Sequence, residues 1–444
     1  MRATRVAAAL RSNLRRRKLQ AQARDAAVEA PPVDAAAAVS QTRQWDRLMQ
    51  LAGLGAIPGE GVNRACLTPL DREARRLVIG WAAEIGAAAS VDDAGNLWLR
   101  CQGSDPALAP VLTGSHLDTQ PMGGRFDGAF GVIAGLEALC ALHDAGIVPR
   151  RSIEVVAWTN EEGSRFAPGC TGSMSWSGFC SADTWNAVTD TVGMTYGAAL
   201  AEQHAAEADL MRRPLGGQPY AYIEAHIEQG PLLEAEALDI GVVTGIQGSR
   251  WFTVTVSGTS AHAGTTPLSL RRDAMADAVR AIAALSEAMH DPDDVLRFTV
   301  GRLSVTPNAS NSVADQVVFS IDLRHPDEKI LTAKGDAIEP TIRNAVNRCD
   351  ITVMEVFNAM PAKFDPGIIE RIERASTSLG LRSRRLASGA FHDAQFVIPL
   401  APSGMIFVPS RGGISHNPAE YTSPTQLAAG TRALTRTLLE LAEC

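Results

Sequence analysis

The stretch Ile153–Gly163, IEVVAWTNEEG, decides how this chain is read. The apolar run from Ile153 to Ala157 has the length of a buried strand, and Trp158, Thr159 and Asn160 carry the chain out of it before two adjacent carboxylates, Glu161 and Glu162. The pair is therefore expected at the C-terminal end of a buried strand, where the ligands of open α/β sheets gather. The alternative for an adjacent Glu pair is a solvated face.

Working outward, strand-like runs recur at Val111 to Thr113, Ala221 to His226 and Met405 to Val408, separated by helical stretches such as Gly128 to Ala145 and Leu427 to Ala442. That alternation predicts an α/β sheet with helices on both faces. Four further strand ends or tight loops carry metal-grade side chains: GSHLDT (His116, Asp118), GGRFDG (Asp127), EAHIEQG (His226) and GISHNP (His416). Each alone reads as a turn or core residue. Together they supply three imidazoles, a carboxylate able to bridge and a Glu pair, the requirements of a two-metal hydrolytic site. Two cations a few ångströms apart need a shared carboxylate, and Asp127 suits that place. One glutamate can then bind metal while its neighbour takes a proton from water. Asp118, two residues after His116, can project from the same side of the strand end and hold the imidazole by a hydrogen bond.

Composition bounds the rest. The 444 residues, 45% hydrophobic, can bury a sizeable core and are long enough for two or three domains. A formal net charge of -8 and a pI near 5.7 exclude a polyanion-binding surface, so no nucleic-acid partner is expected. The seven cysteines are scattered, with no C-x-x-C pair, which predicts a reducing compartment, the cytoplasm, without a disulfide framework or zinc ribbon. Every apolar stretch falls short of the roughly 20 residues a bilayer span needs, so no membrane association is expected. Residues 1–40 read as a disordered extension; the Arg-rich, acid-poor run from Arg2 to Arg24 leaves an organelle transit peptide as the alternative. Folded structure is expected from near Trp45.

Between Arg250 and Ala362 the order changes to strand (Trp251 to Val256), helix (Arg272 to His290), strand (Leu296 to Val305), strand (Val317 to Arg324), helix (Glu328 to Asn347), strand (Ile351 to Phe357). That is a split β-α-β-β-α-β unit. The metal-candidate motifs flank it on both sides, so residues 249–362 read as a domain inserted into a catalytic one made of 41–248 and 363–444, with Gly248 and Lys363 as hinges.

The motifs GSHLDT, GGRFDGAFGV, TNEEGSRF, EAHIEQGP, SAHAGTTP followed by RRDA, PNASN, DLRH, GAFHDA, MIFVPS and GISHNPAE stand in an order that resembles the hydantoinase/carbamoylase branch of the M20 metallopeptidase-like amidohydrolases. That branch includes N-carbamoyl-L-amino-acid hydrolases, β-ureidopropionases and allantoate and ureidoglycolate amidohydrolases. The resemblance covers nearly everything from Trp45 onward and implies an exopeptidase-like α/β catalytic domain with an inserted ferredoxin-like lid and dimerisation domain. It implies two divalent cations per subunit, zinc or else manganese, cobalt or nickel. His116 and His226 would hold one, Glu162 and His416 the other, with Asp127 bridging and Glu161 as general base. His262 would reach across a homodimer interface to the oxyanion, while Asn311 and Arg324 would bind substrate. Gln229, Arg250 and His392 are further candidates for substrate contact. The implied reaction cleaves the ureido C–N bond of an N-carbamoyl-L-amino acid. Allantoate and N-carbamoyl-β-alanine are the near alternatives, and an M20-type dipeptidase or aminoacylase the more distant one. The chain departs from the family pattern at Ser312–Asp315, where a Pro-Gly turn is common, and at Phe391, where Gly is usual.

Overall fold

The structure, a computed structural model, describes residues 34–444. The Arg-rich run lies outside the described residues. Packing starts earlier than Trp45. Asp34 caps the short 3-10 helix Ala35–Ala38, whose Ala35 and Ala36 are buried, and its carboxylate meets Arg436 at 2.6 Å. Four alanines show no hydrophobic period, but their small side chains let this turn sit against the helices Ala129–Asp144 and Pro424–Ala442.

The first body is built on a ten-stranded sheet. At its centre Ser403–Val408, Ala221–Ile227, Val111–His116 and Ile153–Trp158 lie side by side and parallel, each buried from end to end. Leu97–Cys101 and then Ala88–Val91 extend one side antiparallel, and Ile240–Ile246 pairs antiparallel on the other. The helix Ala129–Asp144 is buried without a break from Ala129 to Leu142, because the sheet covers one side and Pro424–Ala442 another. That explains why its sequence is apolar all round. Its one interior charge, Glu137, accepts the Arg43 guanidinium at 2.7 and 2.8 Å and the Ser40 backbone N–H at 2.7 Å.

Residues 248–359 form a second, five-stranded antiparallel sheet with its own core around Val254, Phe319, Leu323 and Ile342. Gly248–Ser257 lies between Gln316–His325 and Asp350–Ala359, and Arg297–Thr299 and Leu303–Thr306 both pair with Gln316–His325. The order of elements is that of the split β-α-β-β-α-β unit. Two elements read as continuous are broken. The expected strand from Leu296 to Val305 is interrupted at 300–302, where Gly301 sits, and the expected helix from Glu328 to Asn347 becomes Glu328–Asp336 and Ile338–Ala345. The second break follows from Pro340, which has no N–H to give the carbonyl four residues back at Asp336. The two chain crossings between the bodies run side by side, Ala362 opposite Ile246 and Lys363 opposite Gly245.

No helix among the described residues is long and apolar enough to cross a membrane.

Candidate metal centre and cleft

The C-terminal ends of the parallel strands converge on Asp127. His116 closes its strand, and its Nδ1 lies 2.9 Å from the Asp118 carbonyl oxygen. That contact makes Nδ1 the donor and leaves the Nε2 lone pair facing Asp127 and Glu161. His226 is fixed the same way, with Nδ1 2.9 Å from the Ile227 carbonyl and Nε2 3.1 Å from Asp127 Oδ1. His116 Nε2 is 3.7 Å from the same Oδ1. On the other side His416 Nε2 stands 3.3 Å from Asp127 Oδ2 and 3.4 Å from Glu162 Oε2. Gly128 is required here: its φ is +62°, and a Cβ would meet the His116 ring at 2.3 Å.

The Glu pair is presented by Asn160, a non-glycine residue at φ 58°. Its side chain donates to the Phe166 carbonyl at 2.8 Å and accepts from Cys66 Sγ at 2.9 Å, holding a backbone conformation that costs energy for a residue with a Cβ. The turn points the N–H groups of Glu161 and Glu162 at Asp118, whose two carboxylate oxygens accept them at 3.3 and 3.2 Å. The expected Asp118 role is therefore corrected. Its carboxylate is 3.7 Å from His116 Nδ1, beyond hydrogen-bond reach, because it is committed to the Glu pair while its carbonyl orients the imidazole.

Two donor sets result, His116–Asp127–His226 and Asp127–Glu162–His416, each with ligand atoms within 4.8 Å of one another and sharing Asp127. Imidazole and carboxylate donors of this kind fit a pair of divalent cations. Electrostatics agree. Burial pushes the Glu161 carboxyl well above its usual range, with Asp393 and Glu162 adding to it, and burial with Asp127 brings Glu162 to about 8. Burial lowers His116 to about 4. Against burial, the hydrogen bond to Asp127 lifts His226 to about 9; the same bond lifts His416 to about 9. Crowded carboxylates in a dry site call for added positive charge. A third set, Glu224–His226–His392, is already spent. Glu224 accepts from Ser115 Oγ, the Tyr222 hydroxyl and the Ala394 N–H, and His392 Nε2 lies 2.8 Å from Ser388 Oγ.

A cavity of about 240 Å³ opens over this floor, lined by Gln120, Asp127, Glu161, Glu162, His226 and His416 and, from above, by Trp251, Arg324, Phe357, Phe391 and His392. Gln229 also lines it and donates to Asp127 Oδ2 at 2.9 Å. Arg250 does not reach it. Its guanidinium is buried on the far face of the second sheet, bound to Glu355 at 2.7 and 3.0 Å and to Asp336 at 2.8 Å, so the expected substrate contact is withdrawn for Arg250. The reason is strand alternation: Trp251, its neighbour, takes the cleft face. His262 and Asn311 lie together, with the Ala263 N–H bonded to the Asn311 carbonyl at 3.0 Å, but both are outside the cavity of their own chain. Sequence reasoning missed Gln120, which donates its backbone N–H and side-chain amide to Glu162 at 3.1 and 2.7 Å. It also missed Glu420, which accepts the Phe126 and Asp127 N–H groups at 2.9 and 3.1 Å. Gln120 directly follows GSHLDT and Glu420 ends GISHNPAE, so position beside a ligand was the available signal.

Residues 112–440 match the Peptidase family M20/M25/M40. The chain belongs to this family. Within M20, it is 38% identical over 410 residues, 91% of this chain and 97% of the relative, to an N-carbamoyl-L-amino-acid amidohydrolase of Rhizobium meliloti. It is 34% identical over 406 residues, 89% of this chain and 97% of the relative, to an allantoate amidohydrolase of Bacillus subtilis. Among solved structures, a hydantoinase/carbamoylase family amidase from Burkholderia multivorans superposes with a TM-score of 0.83 at 40% identity, over 91% of this chain and 98% of that one. The aminopeptidase PepT of Bacillus cereus, at 16% identity and a TM-score of 0.61, shares the fold.

Proposed function

We propose that this M20-family protein is a metal-dependent amidohydrolase that cleaves the ureido C–N bond of N-carbamoyl-L-amino acids, consuming one water and releasing the amino acid, ammonia and carbon dioxide. One observation carries this reading: a single cavity is lined both by Glu161 and the shared Asp127 and by an arginine, Arg324. A substrate with a hydrolysable carbonyl at one end and a carboxylate at the other fits between them. The named relatives support the same class.

His116 and His226 would hold one divalent cation and Glu162 and His416 another, with Asp127 shared; zinc, manganese, cobalt or nickel suits these donors. Such cations, when bound, supply Lewis acidity and lower the pKa of water. Glu161, whose backbone is pinned by Asp118 and whose Oε2 lies 3.4 Å from His116 Nε2, takes a proton from the attacking water and returns it to the departing nitrogen. His262 Nδ1 accepts the N–H groups of Gly264 and Thr265 at 3.0 and 3.1 Å, which leaves the proton on Nε2. We assign that N–H to the oxyanion of a neighbouring subunit in a homodimer, with Asn311 beside it. Residues 249–362 then act as lid and dimerisation domain, swinging on the paired crossings near Gly248 and Lys363. Arg324 uses three of its five N–H groups on Asp322 and the Gly389 carbonyl, leaving one on each terminal nitrogen for the substrate carboxylate. Gln229 holds Asp127 in place, and neutral His392 packs on His226 at 4.6 Å between ring centroids.

The test is ammonia release, after chelation and restoration of metal, from N-carbamoyl-L- and D-amino acids, N-carbamoyl-β-alanine, allantoate and simple dipeptides. Hydrolysis of the L-carbamoyl compounds with little from the rest is expected. Cleavage of dipeptides with no response to any ureido compound would overturn the proposal.

A further inference from the structure

The wall of the cavity above the metal floor is aromatic, and both bodies build it. Trp251 comes from Gly248–Ser257, and Phe357 stands directly opposite it on Asp350–Ala359. The pairing depends on an irregularity: Phe252 opposes Glu355, so in regular register Trp251 would oppose Val356, and the extra residue brings a ring to that place instead. Phe391 arrives from the first body, on the loop after Ser383–Ser388. The ring centroids of Trp251 and Phe357 are 4.8 Å apart, those of Phe357 and Phe391 5.4 Å at 86°, and those of Trp251 and Phe391 6.4 Å at 87°.

These rings belong to neither of the two main hydrophobic cores, although Phe252 and Val254, on the strand of Trp251, belong to the second. All three are only half-buried and all line the cavity. Large rings left out of the interior and gathered round a cleft are the composition of a ligand-binding wall. Phe396 and Met174 add apolar surface to the same cavity. The Arg324 guanidinium lies 5.6 Å over the Phe391 ring, so the cation and the aromatic wall are adjacent. An α-amino acid carries its carboxylate and its side chain on one carbon, which is the pairing this geometry receives. Allantoate and ureidoglycolate put a polar group there, and N-carbamoyl-β-alanine has no side chain.

We propose that Trp251, Phe357 and Phe391 form the side-chain subsite, and that the substrate is an N-carbamoyl α-amino acid with a large apolar side chain, an aromatic one best. This rests on the amidohydrolase reading above and narrows it.

The experiment compares kcat/KM for N-carbamoyl-L-phenylalanine, N-carbamoyl-L-leucine, N-carbamoylglycine and allantoate in the wild type and in Phe391→Gly, Phe391→Leu and Trp251→Ala. One methylene in an apolar pocket is worth roughly 10–200-fold, so the wild type should favour phenylalanine over glycine by about 100-fold or more. Phe391→Gly and Trp251→Ala should each shrink that ratio about tenfold or more, chiefly through KM, with Phe391→Leu between them and the wild type. Loss of folded protein lowers every rate alike and leaves the ratio where it was, so a ratio unchanged in all three variants overturns the subsite. A wild type that prefers glycine or allantoate overturns it as well, while keeping the amidohydrolase. If no ureido compound turns over with metal restored, the function fails and the subsite with it.

Discussion

The metal half of the cleft and the rim of the second sheet present their polar residues in opposite ways. His116 and His226 are buried at the ends of strands that cross the main core and Asp127 just before the helix Ala129–Asp144, with each imidazole already oriented by a backbone carbonyl. His262 and Asn311 are exposed, on a two-residue strand pairing and a loop, and touch nothing of the site in their own chain. The first group is arranged by folding itself. On the function proposed here, the second would be completed only by an encounter, with a closing lid or with a partner. Arg324 stands between the two cases, in the cavity yet carried by the second sheet.

The largest effect expected from breaking this contrast lies in the Glu pair. Glu161→Gln removes the proposed base and should cost about 10⁴-fold in turnover, the upper end for proton transfer, while metal content stays at the wild-type level. Glu162→Gln should lose both activity and metal. Elemental analysis of the two purified variants separates them, and equal metal loss in both would sink the division of roles.

The next effect concerns the rim. His262→Ala removes the proposed oxyanion donor and should lower kcat by about 10²–10³-fold. Mixing it with Glu161→Gln under subunit exchange sharpens the comparison. If His262 serves the partner's cleft, each mixed dimer has one site with both defects and one with neither, and activity should return to about a quarter of wild type. If it serves its own cleft, every site keeps one defect. No recovery after demonstrated exchange rejects the shared site.

Much of this was legible in the sequence because the strand ends carry their own signal. An apolar run followed by Glu161–Glu162, or by His116, is readable from pattern alone, and a parallel sheet brings such ends together. The aromatic wall was less so: Phe391 stood out as a departure, but its meeting with Trp251 and Phe357 depends on an irregularity in strand pairing that no local pattern announces. Arg250 failed for a related reason. A one-residue shift in alternation decides whether a side chain faces the cleft or the helices, and Asp336 and Glu355, far along the chain, hold it on the wrong face. Asp118 was placed in the right spot with the wrong partner, since spacing cannot say which of its oxygens meets the imidazole.

Asp118 yields the third prediction. Asp118→Asn keeps the carbonyl that orients His116 but can accept only one of the two N–H groups from Glu161 and Glu162. Activity and metal affinity should fall by about 10–100-fold, the usual cost of losing a group that positions a ligand. Loss of His116 coordination in spectra of a cobalt-substituted variant, with the Glu pair intact, would assign Asp118 to the imidazole after all.

The smallest effect tests whether the two bodies are energetically separate. Asp277, buried in the second sheet's helix Ala274–Ala288, accepts from Arg280 and from the backbone N–H groups of Asn347, Arg348 and Cys349, the last three at 3.2, 3.3 and 3.0 Å. Against the cost of burial, these bonds hold its carboxyl well below the usual range. The folded value thus lies under the unfolded one of about 3.9, so the stabilisation is present at neutral pH and is lost as pH falls below about 4. Asp277→Asn should weaken the second sheet by about 1–3 kcal/mol at pH 7 and flatten that acid dependence. Hydrogen exchange reads it residue by residue. Amides of 248–359 should lose protection while those of the parallel strands keep theirs, since the two cores share no member. Equal loss in both sheets would mean one cooperative unit, and then the rim could not move independently of the metal floor.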